Sequence, residues 1–382
     1  MSRFLRYALC LLLAVCAFFY VALQPIRTHL QALAVLHEVE GRPVPWIATG
    51  FIGPVTRQEL LIPVTVGSTT QQVRARLYRP SDAANAPAMV IFHGVHHLGI
   101  DEPRLMGFAS AIASCGVQVL TPELPDIKDY RVSRESLQTI GGSVAWFATR
   151  TGGPVGVAGL SFSGGLALVA AADPRYHPAF KFIFAVGSQD SMARVIQYYR
   201  TGRDLRPDGT IEQLPPHEYG PLVIEYEHLD DFVPPQDLAP VQAVLRAHLY
   251  EDSADEKRAS LALDPAQKRE SLELMDATSA ATHARIQTVA REHAAEMAAL
   301  SPQGRLANLG IPVYLLHGQA DNIIPSAETL WLARELHPHD LKAVLVSPIL
   351  SHVNLDGAAP TAMDSWRLLH FFARVMQAAD SR

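Results

Sequence analysis

The sequence predicts an α/β fold: a mostly parallel sheet with helices on both faces, an inserted helical cap, and an N-terminal transmembrane helix. Three observations carry this reading. Strand-type apolar runs alternate with helix-type periodicity, as expected of parallel strands joined by crossover helices. The alternation stops between Gln189 and Gly310 and then resumes, and a stretch of that length must be a subdomain rather than a loop. Finally, Arg3 and Arg6 precede an uncharged apolar run from Tyr7 to Leu23.

As a helix, that run spans roughly 26 Å, slightly less than the hydrocarbon core of a bilayer. Adding Phe4 and Leu5, with Arg6 snorkelling to the headgroups, closes the gap. Phe18, Phe19 and Tyr20 stand where a signal-peptide cleavage site would need small residues, and Val15 before Cys16 makes a poor lipoprotein site. Residues 1–24 are therefore expected to form an uncleaved signal-anchor. The arginines before it place the N-terminus in the cytoplasm, so the protein reads as single-pass with its catalytic domain on the extracytoplasmic side. The alternative is a protein secreted after signal cleavage.

Residues 25–57 read as a linker. Leu60–Val66 and Val73–Tyr78 look like an antiparallel hairpin around Gly67-Ser68-Thr69-Thr70. Ala88–Phe92 is a buried-strand run, followed by helix Arg104–Cys115, strand Val117–Thr121 and helix Arg134–Thr149. Strand Val155–Ala158, helix Gly164–Ala172 and strand Phe182–Val186 come next. Within the insertion, 189–310, helical periodicity is clearest at Val241–Leu249 and Ser271–Leu300. The closing elements are strand Pro312–Leu316, helix Ala327–Leu336, strand Ala343–Val346 and helix Met363–Ala378. The core is thus 58–188 together with 311–382.

Composition excludes some classes. Hydrophobic residues make up 48% and charged residues 18%, a globular balance, and the net charge of −6 gives no basic surface for nucleic acid. The three cysteines (Cys10, Cys16 and Cys115) supply no disulfide framework.

Two serines compete in VGVAGLSFSGG, residues 155–165. A nucleophile elbow, G-x-S-x-G, is a tight strand-to-helix turn that needs small residues two before and two after the serine. The frame on Ser161 has Gly159 before it and Ser163 after it; the frame on Ser163 loses the first glycine and pushes the apex into the helix. Ser161 is the candidate nucleophile. A serine needs a base oriented by a third group. Asp321, in LLHGQADNIIP, and His352, in VSPILSHVNL, each follow a strand, at the sheet edge where open α/β sheets gather their sites. Asp190 is the rival acid, and His337 and His339 are the rival bases.

HGVHHLG, GLSFSGG, HGQADNIIP and LSHVNL occur in that order, each after its own strand, and over residues 60–380 the chain resembles an α/β-hydrolase. The resemblance implies Ser161 as nucleophile, His352 as general base and acid, and Asp321 as the residue orienting His352. It also implies an oxyanion hole from the backbone amides of Val95 and Phe162. Dienelactone hydrolases differ in carrying cysteine at the apex. His93, His96 and His97 beside Asp101 and Glu102 lack metal-ligand spacing, and neither a metal nor a cofactor is expected. His96 or His97 is expected at the substrate entrance. Ile196, Tyr198, Tyr199, Val223, Ile224 and Phe232 read first as core and second as pocket lining.

The chemistry this implies is cleavage of a carboxylic ester through an acyl-enzyme, on a small-molecule or lipid-like substrate. A serine peptidase or acyltransferase is the alternative on the same triad, and a binding protein on a hydrolase scaffold is the remote one.

Overall fold

The computed structural model describes residues 24–81, 86–352, 355 and 357–380. A helix over residues 24–39 (α1) opens the described chain. Strands β1 (Val55–Val66) and β2 (Thr69–Pro80) then form a long antiparallel hairpin. Its turn is only Gly67-Ser68, tighter than expected, with Gly67 at φ +62° where a side chain would be strained. Next come β3 (Ala88–Phe92), α2 (Pro103–Ser114), β4 (Gln118–Pro122), α3 (Pro125–Lys128) and α4 (Arg134–Thr151). After these follow β5 (Val155–Leu160), α5 (Phe162–Ala172) and β6 (Phe180–Val186).

The chain after β6 carries α6 (Met192–Thr201), the short hairpin β7 (Arg203–Leu205) and β8 (Ile211–Gln213), then α7 (Tyr219–Glu227) and α8 (Pro235–Leu249). Helices α9 (Ser253–Ala262), α10 (Pro265–Leu274), α11 (Ala280–Glu292) and α12 (Ala294–Ala299) complete it. The single helical stretch expected over Ser271–Leu300 is therefore broken twice. At the first break the Asp276 carboxylate accepts from the Thr278 N–H and hydroxyl, and Ser279 caps α11 by accepting from the Thr282 N–H. At the second, His293 sits between α11 and α12. The core then closes with β9 (Val313–Gly318), α13 (Ala327–Glu335), β10 (Leu341–Ser347) and α14 (Ala362–Asp380).

The main sheet has eight strands in the order β1-β2-β4-β3-β5-β6-β9-β10. Only the β1–β2 and β2–β4 pairings are antiparallel; the rest are parallel. Alternate side chains feed opposite faces. Val90 and Phe92 join Val157, Ile183 and Leu315 in one apolar cluster with Phe147 of α4 and Leu166 of α5. Met89 and Ile91 join Phe182, Phe184 and Tyr314 in the other, against Phe108 of α2 and Phe372 of α14. Fully burying side chains of this size contributes about 1.5–3 kcal/mol each, so both faces must be covered.

Two expectations change here. The 25–57 segment, expected as a linker, holds a packed helix: α1 buries Ala32, Val35 and Leu36 in the second cluster. The expected N-terminal transmembrane helix is corrected too. Its apolar run, Tyr7–Leu23, lies outside the described residues, and no described helix is long and apolar enough to cross a membrane. Even α14, at 19 residues, carries Asp364, Arg367, Arg374 and Asp380 and buries one face against the sheet. The α/β architecture stands without the span, and the single-pass placement with an extracytoplasmic catalytic domain has no support.

Candidate active site

The elbow begins where β5 ends. Ser161 adopts φ 58°, ψ −137°, a conformation a β-carbon makes costly by about 1–3 kcal/mol. Neighbouring contacts hold it there: the Ser161 N–H donates to the Val186 carbonyl, and the Gly164 N–H donates back to the Ser161 carbonyl. The strand and helix cross so closely that a β-carbon on Gly159 would lie 2.4 Å from the Gly164 Cα. One on Gly164 would lie 2.0 Å from the Ser188 hydroxyl.

Ser163, the departure from the G-x-S-x-G pattern, has its own task. It is fully buried, and its hydroxyl donates to the His93 carbonyl at 2.6 Å, tying α5 to the loop after β3. His93 is held in turn by its neighbours. Its Nδ1 faces the Gly94 carbonyl at 2.8 Å, so the proton is on Nδ1, and Nε2 accepts from the Leu124 N–H at 2.9 Å. Burial pushes the imidazole down to about 4, so it is neutral near pH 7. In the same loop Gly94 approaches Ser161 so closely that an added β-carbon would sit 3.2 Å from the Ser161 Cβ.

Ser161, His352 and Asp321 come together from three different loops. The Ser161 hydroxyl lies 2.9 Å from His352 Nε2, and His352 Nδ1 lies 2.5 Å from Asp321 Oδ2. Asp321 is fully buried. Burial alone would raise its pKa, but His352 and His317 beside it hold the carboxyl at about 2, well into the ionised range. Its second oxygen accepts from the N–H groups of Ile323 and Ile324. His317 is a residue the sequence reading quoted but left without a role. It lies on β9, wholly buried, with Nε2 2.8 Å from the Ile324 carbonyl and 3.2 Å from Asp321 Oδ2. Its only sequence signal is a histidine four residues before the acid.

Val95 lies in the loop beside Ser161, and Phe162 is the first residue of α5. The Phe162 side chain is packed into the core, which leaves only its amide at the helix N-terminus, where the dipole favours negative charge. The rival acid Asp190 is engaged elsewhere, pairing with Arg194 at 2.6 Å, while Arg194 also meets Glu328 at 2.6 Å. His337 and His339 lie between α13 and β10, and His339 is exposed.

A cavity of about 440 Å³ opens beside Ser161 and His352. Leu36 of α1, Leu105 and Phe108 of α2, Phe184 and Phe372 give it apolar walls. From the insertion only Tyr219 and Glu251 reach it, and His96 lies at its edge. Ile196, Tyr198, Tyr199 and Ile224 pack in the core instead, as do Val223 and Phe232.

A mostly parallel eight-stranded sheet with a serine on a strained strand-to-helix turn, its histidine and its acid on later strand ends, defines an α/β-hydrolase. More narrowly, residues 142–352, more than half of the chain, match the family model of the X-Pro dipeptidyl-peptidase (S15 family), and the chain belongs to that family. It is a hydrolase. Similar solved structures include a brefeldin A esterase, described as a bacterial homologue of human hormone sensitive lipase. That match has 15% identity, covers 92% of this chain and 85% of that one, and has a TM-score of 0.47. An esterase of Pyrobaculum calidifontis is 16% identical, covering 93% of each chain at a TM-score of 0.45. The acylaminoacyl peptidase of Pyrococcus horikoshii is 14% identical, covering 79% of this chain and 39% of that one at 0.42. No curated protein matches the chain.

Proposed function

We propose that the protein is a serine hydrolase that cleaves a carboxylic ester with an apolar acyl or alcohol part. The observation that carries this is the hydrogen-bonded series Ser161–His352–Asp321 at the wall of a mainly apolar cavity. In this reading His352 Nε2 takes the hydroxyl proton as Ser161 Oγ attacks the carbonyl carbon. Ionised Asp321 accepts the Nδ1–H bond and stabilises the imidazolium. The amides of Val95 and Phe162 receive the developing oxyanion, which α5 also favours through its N-terminal dipole. His352 then returns the proton to the leaving alcohol. Water, activated by the same imidazole, releases the acid and restores Ser161.

The family match supports a second reading, cleavage of a dipeptide from the N-terminus of a peptide. Such a substrate brings an ammonium group, which needs a free carboxylate in the cavity. Of the two carboxylates there, Glu102 accepts from the Leu105 N–H and the Arg104 guanidinium, while Glu251 accepts only from the Tyr219 hydroxyl at the cavity wall, and the lining around Ser161 is otherwise mainly apolar. This favours the ester. Parallel kcat/KM measurements on p-nitrophenyl esters of increasing acyl length and on an X-Pro p-nitroanilide decide between them, with Ser161→Ala as control. Turnover of the anilide but not of the esters would overturn the ester reading.

A further inference from the structure

A second cluster of chemically capable side chains lies in the insertion, apart from the cavity. His228 ends α7, Asp231 lies in the single 3-10 turn after it, and His293 joins α11 to α12. One nitrogen of each histidine and one carboxylate oxygen of Asp231 lie within 4.8 Å of one another. The two imidazoles stand with centroids 4.0 Å apart.

Three features make this more than a chance grouping. His228 is buried, with only 7% of its surface exposed, yet its Nε2 has no hydrogen-bond partner. A buried nitrogen without a partner costs about 1–3 kcal/mol, and a metal ion would satisfy it. His293 is set up at both ends of its ring: Nε2 lies 2.7 Å from Asp231 Oδ2, and Nδ1 lies 3.5 Å from Glu296 Oε2. A ligating histidine almost always gives its other N–H to a carboxylate, which fixes ring orientation and raises basicity. Finally, the donor set of two imidazoles and a carboxylate suits zinc, with bonds of about 2.0–2.2 Å and a fourth position for water. Tetrahedral bonds of that length place ligand atoms about 3.3 Å apart. The three donor atoms lie within 4.8 Å of one another, and the exposed Asp231 and half-buried His293 have room to adjust towards that spacing.

We propose that His228, Asp231 and His293 form a zinc-type divalent metal site, with Glu296 as the carboxylate that orients His293. The ion joins the end of α7 to the α11–α12 junction, two segments far apart in the chain. Because α7 begins at Tyr219, which lines the cavity, the same ion fixes the insertion beside the active site. The site takes no part in the hydrolytic reaction and stands whatever the substrate proves to be.

The test uses the full chain, stripped with chelator, titrated with Zn²⁺ alone by calorimetry and with Co²⁺ by its visible absorption. The expected result is one tight equivalent whose cobalt spectrum is tetrahedral. Asp231→Asn and His293→Gln, both at partly exposed positions, should weaken binding by at least a hundredfold while leaving the thermal midpoint of the metal-free protein within a few degrees. Glu296→Gln should weaken it by about tenfold. Zn²⁺ should raise the midpoint of the parent and not of the two ligand variants. No stoichiometric binding, or binding unchanged in both variants, overturns the site.

Discussion

Gly318 closes β9 directly beneath the loop that carries His352. A β-carbon there would lie 1.5 Å from the Ser351 carbonyl oxygen, 2.6 Å from its carbon and 2.7 Å from the Leu350 carbonyl oxygen. All three are backbone atoms, so no side chain can swing aside. Restoring ordinary contact near 3.4 Å requires the Ser351 peptide to retreat by about 1.9 Å. His352 is the next residue, and it must hold 2.9 Å to Ser161 and 2.5 Å to Asp321 together. A displacement of about 1 Å at a reacting group costs roughly a hundredfold in rate. Gly318→Ala should therefore lower kcat on an activated ester by a hundredfold or more, and slow fluorophosphonate labelling of Ser161 in parallel. KM should change much less, because the cavity walls stay in place. The strain should cost about 1–3 kcal/mol of stability, small enough for the variant to stay folded by circular dichroism. Activity within threefold of the parent, in a protein of unchanged melting temperature, would refute the claim that this close approach places the histidine.

Other perturbations separate the elbow's two serines and the groups around them. Ser161→Ala should remove activity by several orders of magnitude without altering the melt. Ser163→Ala should instead lose about 1–2 kcal/mol of stability, because the buried His93 carbonyl loses its donor, and reduce kcat by no more than tenfold. His93 gives an acid-side prediction. Its folded value is near 4 and its unfolded value near 6.5, so its contribution is complete above pH 6.5 and is lost as the pH falls towards 4. Denaturant titrations from pH 7 to pH 4 should show a decline of about 3 kcal/mol from this group, which His93→Asn should flatten. Glu328 is wholly buried and accepts from the Asp190 and Ser191 N–H groups and from Arg194. Glu328→Ala should therefore cost about 3–5 kcal/mol, because the two buried amides lose their acceptor and Arg194 keeps only Asp190 as partner, read as a fall in the urea midpoint.

The parallel core was legible because its strands are short, continuous apolar runs and its helices carry caps that the sequence states outright. Ser133, for example, accepts from the Ser136 N–H at the start of α4, and Gly152 ends that helix at φ +80°. The elbow was legible for a related reason: the apolar run Val155–Ala158 sets the register, so only one serine can stand at the apex. Helix α1 was harder to see. Its apolar positions follow an apolar run of a different kind, and its burial of Ala32, Val35 and Leu36 depends on a surface built from α2 and α14, some 70 to 340 residues away. Local pattern does not carry that information.

The same limit explains what sequence spacing missed around the charged groups. His317 and Asp321 are four apart, yet nothing in that spacing says that the histidine is buried against the acid rather than packed elsewhere in β9. The Asp190–Arg194–Glu328 network unites α6 with α13, and only the fold brings Glu328 to the Asp190 amide. Asp190 looked like a usable acid because it too follows a strand, β6. What removes it from the site is a partner 138 residues away that takes its own amide and shares its arginine. His228 and His293, 65 positions apart, follow the same rule. Motif spacing finds ligands only when one helix or one turn presents them; here two segments of the insertion each bring one histidine, and the carboxylates of Asp231 and Glu296 decide which way His293 faces. Chemistry that resides in strand ends can thus be read along the chain, while chemistry that resides between helices must be read from their packing.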